Sequence, residues 1–333
     1  MLPKELMNIA VVLLVFVVCS ADLTAQSDSS LAWPSPPDRA RISHIQTIAS
    51  NADFKQERGW WNRIVTFFAG GESDRPWLVQ PVGIAVSADG RIFIADPGAH
   101  CVHVIQPEKK EYDLITETKF GKLASPVGLA FDGEGRLYVS DSERHSVLRF
   151  DDDLDAEKEF AGSFARPTGL SIVGSTLYVV DAGVHKVFLC DLDGRKLGEF
   201  GRHGFGSGEF NFPIQVAVRD SVYVTDALNF RVQKFDLAGR HQRTIGTQGN
   251  VPGRFASPKA AAIDSDGNVY ITDALMDNFQ MFSPQGELLL IVGRKGTRGG
   301  EFMSPGGIVI DRNDKVYVVE TLNRRIQIFQ YHK

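Results

Sequence analysis

The chain has 333 residues, of which 43% are hydrophobic, and a formal net charge of −5. That apolar share suffices for one large core, and the acidic balance argues against nucleic acid as a partner, because a phosphate-backbone binder needs a basic face. Three cysteines without a C-x-x-C spacing exclude a zinc knuckle and a c-type haem attachment site.

Residues 1–21 read as an export signal. Lys4 supplies a thin basic end, residues 9–18 are wholly apolar, and Cys19-Ser20-Ala21 offers small residues for cleavage before Asp22. The run is shorter than the ~20 residues a bilayer-spanning helix needs. Cys19 raises a lipid anchor, although Val17-Val18 stand where a lipobox has a small residue. The expected location is therefore periplasmic or extracellular, with membrane contact only if Cys19 is lipidated or the signal stays uncleaved. Residues 22–40 read as a linker, with Ser35-Pro36-Pro37 extended.

Residues 41–49 read as a strand. An insertion follows, residues 50–80, containing GWWNRIVTFFAGG. Trp60, Trp61, Ile64, Val65, Phe67 and Phe68 recur there at helical spacing. A short helix is expected, either docked in the core or exposing an apolar face to a partner or membrane.

From Pro81 one unit recurs six times. The leading residues are Pro81, Pro126, Pro167, Pro213, Pro258 and Pro305, at spacings of 45, 41, 46, 45 and 47. Each is followed by an apolar run, a polar turn, a second apolar run and an acid: Asp96, Asp141, Asp181, Asp226, Asp273 or Glu320. A third β-rich run follows each acid, and usually a fourth, weaker strand. Four strands in roughly 40–50 residues is the signature of a propeller blade. The second runs are apolar on consecutive positions, as in sheets covered on both faces. A parallel solenoid, the competing architecture, usually has shorter repeats. The sixth unit ends at Lys333 after three strands. The strand at 41–49 is expected to complete that blade, placing Ile42, Ile45 and Ile48 beside Ile326 and Ile328 and removing an open edge.

The pattern P-x-G-I/L-A-V … G-R-I/L-Y/F-V/I-A/S-D … H/N-R/K-V resembles the NHL repeat over residues 81–331. The resemblance implies an all-β, six-bladed propeller over residues 41–333. It says little of function, since similar propellers include RNA-binding and protein-binding modules, sensors and a lyase. In the amidating lyase of similar fold, zinc is held by histidines close to the blade-leading prolines. Here those flanking positions hold Gln80, Ser125, Arg166, Phe212, Ser257 and Ser304. Calcium-dependent lactonases use an axial Glu/Asn/Asp set, for which the first strands offer no counterpart. No metal and no cofactor is expected.

His100, His145 and His185 occupy matching places after the blade acids but in different blades, too dispersed to share one metal. Each is expected to pack against its own turn and hydrogen-bond nearby backbone, and the acids to accept turn N–H groups. Cys101 and Cys190 lie a whole blade apart and are expected as free thiols. The Gly-rich links before blades four, five and six read as loops with left-handed glycines, not a phosphate loop.

These readings converge on an exported, monomeric, non-catalytic propeller that binds a protein or other ligand of the cell envelope on its loop-rich end. The alternative is a metal-dependent lyase or hydrolase using the axial channel. Candidate contacts are Trp60, Trp61, His100, His145, Arg166, His185, Gln215, Asn229, Phe230, Lys259 and Arg324, because aromatics and Arg at a concave end are the usual anchors.

Overall fold

The computed structural model describes residues 31–35, 37–51, 54–56 and 77–333. The expected signal with Cys19, and the expected helix with Trp60 and Trp61, lie outside the described residues.

Six antiparallel sheets surround one axis. Blade one runs outward through Gly83–Val86, Ile92–Asp96, Cys101–Gln106 and Glu111–Ile115. Blades two to five repeat the plan, each with four strands in chain order. Blade six takes three strands from the chain end, Pro305–Ile310, Lys315–Glu320 and Arg325–Tyr331. Its fourth is Ile42–Ile48, which pairs antiparallel with Arg325–Tyr331. The innermost strands of neighbouring blades touch all the way round, and that of blade six meets that of blade one. The ring is closed by joining the two ends of the propeller in one sheet.

The expected apolar runs are buried because each second strand is sandwiched between neighbouring blades. Ile92–Asp96, Leu137–Asp141, Val222–Asp226 and Val269–Asp273 are buried along their whole length. Residues of adjacent blades share clusters: Phe93 and Val104 of blade one pack with Leu129, Val139 and Leu148 of blade two.

Glycine near the head of the innermost strand lets the blades approach the axis. A Cβ on Gly83 would strike the Val127 carbonyl, on Gly128 the Thr168 carbonyl, and on Gly307 the Val82 carbonyl. Blades four and five depart from this rule with Gln215 and Ala260.

Three details differ from the sequence reading. Ile45 lies in the closing strand but points outward and is 48% exposed, while Ile42 and Ile48 are buried. A bulge between His44 and Gln46 breaks the alternation that would have put it inside. Within the stretch expected as linker, Ala32–Trp33 pairs with Ile42–Ser43 and adds a fifth strand to blade six. Within the insertion, Lys55–Gln56 lies parallel to Glu111–Tyr112 at the rim of blade one.

Candidate ligand-binding face

The links that enter each blade and the turns between second and third strands form one end of the ring, and the blade acids organise it. Asp141 accepts the N–H groups of Ala124, Ser125 and Arg144. Asp181 accepts those of Ala165, Arg166 and Gly183. Asp273 holds Ala256, Ser257, Leu275 and Met276 in the same way. Each carboxylate thus ties its turn to the segment leading into its own blade. Burial pushes the Asp96 carboxyl up, but His103 and the amides of Val79 and Gln80 outweigh it and hold it below the ordinary carboxylate range.

Four residues beyond each acid the backbone is left-handed. His100, His145, His185, Phe230, Asp277 and Arg324 have φ between 50° and 56°. The histidines bond backbone, and the backbone they reach is the segment leading into the next blade. His100 Nδ1 donates to the Ala124 carbonyl and His145 Nδ1 to the Ala165 carbonyl. His185 is reversed, its Nδ1 accepting the Phe212 N–H at 3.0 Å. Asp277 accepts the Ser304 N–H at 2.9 Å. The Arg324 carbonyl accepts the Trp77 indole N–H at 2.9 Å. Of the other candidates in these turns, Asn229 Nδ2 donates to Asp226 and to the Gly204 carbonyl. These bonds hold the ring together. Burial and then the neighbouring His203 push the His185 imidazole below its ordinary pKa.

The links before blades four, five and six are built alike, as left-handed glycine loops pinned by a buried glutamine and phenylalanine. Gln233, Gln280 and Gln327 accept from Gly208, Gly253 and Gly300. They donate back to the carbonyls of Glu209, Arg254 and Glu301. Phe210, Phe255 and Phe302 are fully buried beneath them. Gly246 has φ +78°, and any side chain there would collide with the Phe255 ring.

At the centre of this face opens a cavity of about 640 Å³. Arg166, Phe212, Gln215 and Lys259 line it with Gln80, Glu143 and several Ser and Thr side chains. The Arg166 guanidinium lies 5.2 Å from the Phe212 ring centroid, a cation–π contact that pre-orients it. Gln215 stands at the waist of the channel and also lines the cavity of about 490 Å³ opening at the other end. Its Oε1 accepts the Ala261 N–H at 3.0 Å and its Nε2 donates to the Val216 carbonyl at 2.9 Å.

The structure therefore brings three candidates, Arg166, Gln215 and Lys259, to one cavity. It places His100, His145, His185, Asn229, Phe230 and Arg324 in the turns around it; Trp60 and Trp61 lie outside the described residues. Phe212 and Gln80, named above only as residues flanking the prolines, and Glu143 also line the cavity. A signal existed for the first two, since each directly precedes a blade-leading proline, as Arg166 does. Cys101 and Cys190 are buried and unpaired, burial pushing their thiols up to about 12 and about 11. Among the described residues, no three His, Cys, Asp or Glu side chains converge where a metal ion could be held.

Residues 78–105 and 123–150 match the NHL repeat family model. The chain is a six-bladed propeller carrying NHL repeats. Over 95 residues it is 32% identical to the E3 ubiquitin-protein ligase NHLRC1 of Rattus norvegicus, covering 27% of this chain and 24% of that protein. The Homo sapiens protein of that name is 29% identical over 110 residues, 32% of this chain and 28% of that protein. The chain thus spans about a quarter of the length of these relatives. Solved structures extend the fold similarity to nearly the whole propeller. A Bacteroides thetaiotaomicron protein of unknown function superposes with TM-score 0.65 at 15% identity, over 88% of this chain and 76% of its own. A gluconolactonase from Xanthomonas campestris superposes at 0.61 and 15%, over 77% and 87%. A virginiamycin B lyase from Staphylococcus aureus superposes at 0.57 and 14%, over 76% and 95%. At such identities the likeness is one of fold alone.

Proposed function

We propose that this NHL propeller is a non-catalytic binding module, exported from the cell, that takes a protein or other ligand on the end bearing the 640 Å³ cavity. The observation that carries this reading is the cavity mouth itself. Arg166, at the head of blade three, is pre-oriented on Phe212, and Gln215 and Lys259 come from the next two blades, four and five. Concave apolar walls with a few fixed polar groups are the general form of a recognition site. Among the described residues, the titratable side chains lining the cavity are one carboxylate, Glu143, and two cations, a set suited to holding a ligand by charge and shape. The histidines and acids of the surrounding turns are engaged in bonds that shape the ring.

A photo-crosslinking amino acid in place of Lys259, in cells producing the full chain, is expected to give adducts of defined mass. The same substitution at Asp220, on the turn between the first two strands of blade four at the opposite end, is expected to give none. Equal labelling from both positions, or none from position 259, would overturn the reading.

A further inference from the structure

The second residue after each blade acid divides the ring into two halves. In blades one to three it is Gly98, Glu143 or Gly183. In blades four to six it is Leu228, Leu275 and Leu322, 54%, 73% and 64% exposed. Glu143, their counterpart in blade two, lines the cavity mouth; the three leucines hold the equivalent turn position in the other half of the ring and are not themselves part of the cavity lining. Phe205, 72% exposed, and Val251, 49% exposed, extend the apolar surface along the neighbouring links. No requirement of the fold accounts for this. The position holds glycine in two blades and glutamate in a third, and the hydrogen bonds at the three leucines are made by their backbone amides, to the Asn211 and Met303 carbonyls and to Asp273.

The charge around the leucines is also unlike that of the chain. The three links at 201–212, 246–257 and 293–304 and the turns of blades four to six carry six Lys and Arg against three Asp and Glu, in a protein of net charge −5. Arg202 and Arg294 are paired with Glu209 and Glu301. Arg298 is a charge neighbour of Glu301, while Arg254 and Lys295 form no ion pair with a carboxylate among the described residues. A basic, aliphatic arc is complementary to an acidic, aliphatic partner. Nucleic acid fits it less well, because its exposed apolar side chains are mainly aliphatic and bases stack on rings, of which Phe205 supplies one.

We infer that the arc of Leu228, Leu275 and Leu322 docks an acidic protein segment that presents aliphatic side chains at a blade-to-blade interval. The inference rests on the proposed binding role of this end and names the class of ligand. Packed sheets lie about 10 Å apart. An extended segment covers that distance in about three residues and a helix in about seven.

The test is selection of random 16-residue peptides displayed on phage against the full chain, followed by fluorescence anisotropy with the enriched sequences. The expected peptides combine Asp or Glu with Leu, Ile or Val at one of those two intervals. Leu275→Glu and Leu322→Glu are each expected to weaken them at least tenfold while leaving the thermal unfolding curve in place. Enriched peptides without acids and aliphatics, or indifferent to Leu275→Glu, overturn the inference. If they weaken with Lys259→Glu but not with Leu275→Glu, the cavity is the binding site and the arc is not. If they respond to neither, the binding role of this end falls as well. Tighter binding of a mixed-sequence single-stranded RNA, lost in Leu275→Glu, would overturn the protein segment in favour of nucleic acid.

Discussion

Four residues beyond each acid, every blade places a non-glycine residue in the left-handed region, and its side chain or carbonyl commonly reaches the next blade. His185 has the most exacting chemistry, because its Nδ1 accepts an N–H and must stay unprotonated. Its pKa is lowered from 6.5 by burial and by His203, against the opposing pull of Asp226 and Asp181. A histidine with a lowered folded-state pKa contributes stability that is fully present above the unfolded value. That contribution is lost as the pH falls below 6.5, where the unfolded chain takes up the proton first. Gln at this position can accept the same bond without titrating. Urea unfolding of His185→Gln is therefore expected to lose less stability than the parent between pH 7.5 and pH 5, and an unchanged pH slope would refute the assignment. The residue types were legible in the sequence, and so was their structural role. The partner in the next blade was not, because it depends on how two sheets are set side by side.

The closing strand shows what an element does when it is distant in sequence from its sheet. Arg325–Tyr331 would be an open edge without Ile42–Ile48. Ile42 and Ile48 are anchored in different clusters, one with Phe329 and Tyr331 and the other with Ile326 and Ile328. Removing residues 1–50 is expected to leave six recognisable blades by circular dichroism but to expose that edge. Sedimentation velocity should then show concentration-dependent self-association, absent in the full chain. A monomer at all concentrations would show that the edge needs no cover. The need for such a strand followed from counting three strands in the last repeat. The outward turn of Ile45 did not, since a bulge is set by the pairing on both sides of it. The glycine loops were likewise legible as loops, but their glutamine and phenylalanine pins were not, because Gln233 and Phe210 lie in different segments and meet only across the fold.

In the whole molecule the two ends of the propeller are neighbours: the His332 N–H donates to the Arg41 carbonyl at 2.8 Å, and the Arg39 guanidinium reaches the Lys333 carbonyl. Closure is thus a matter of which strands meet and not of chain order. A permutant joining residue 333 to residue 31 through a short linker, with new termini in the exposed turn at 152–153, is expected to fold to the same far-ultraviolet spectrum with one cooperative unfolding transition. Loss of cooperativity would mean that the closing strand has to be folded from the natural N-terminal side. What the sequence by itself determined is the blade: the proline, the apolar runs, the turn and the acid recur because each sheet faces the same neighbours and meets the same local demands. What only the tertiary structure decided is the common surface. Arg166, Phe212, Gln215 and Lys259, like Leu228, Leu275 and Leu322, stand in separate repeats with no local signal linking them. Closing the ring brings their strand heads and turns to one end, and that geometry is set by all six blades at once.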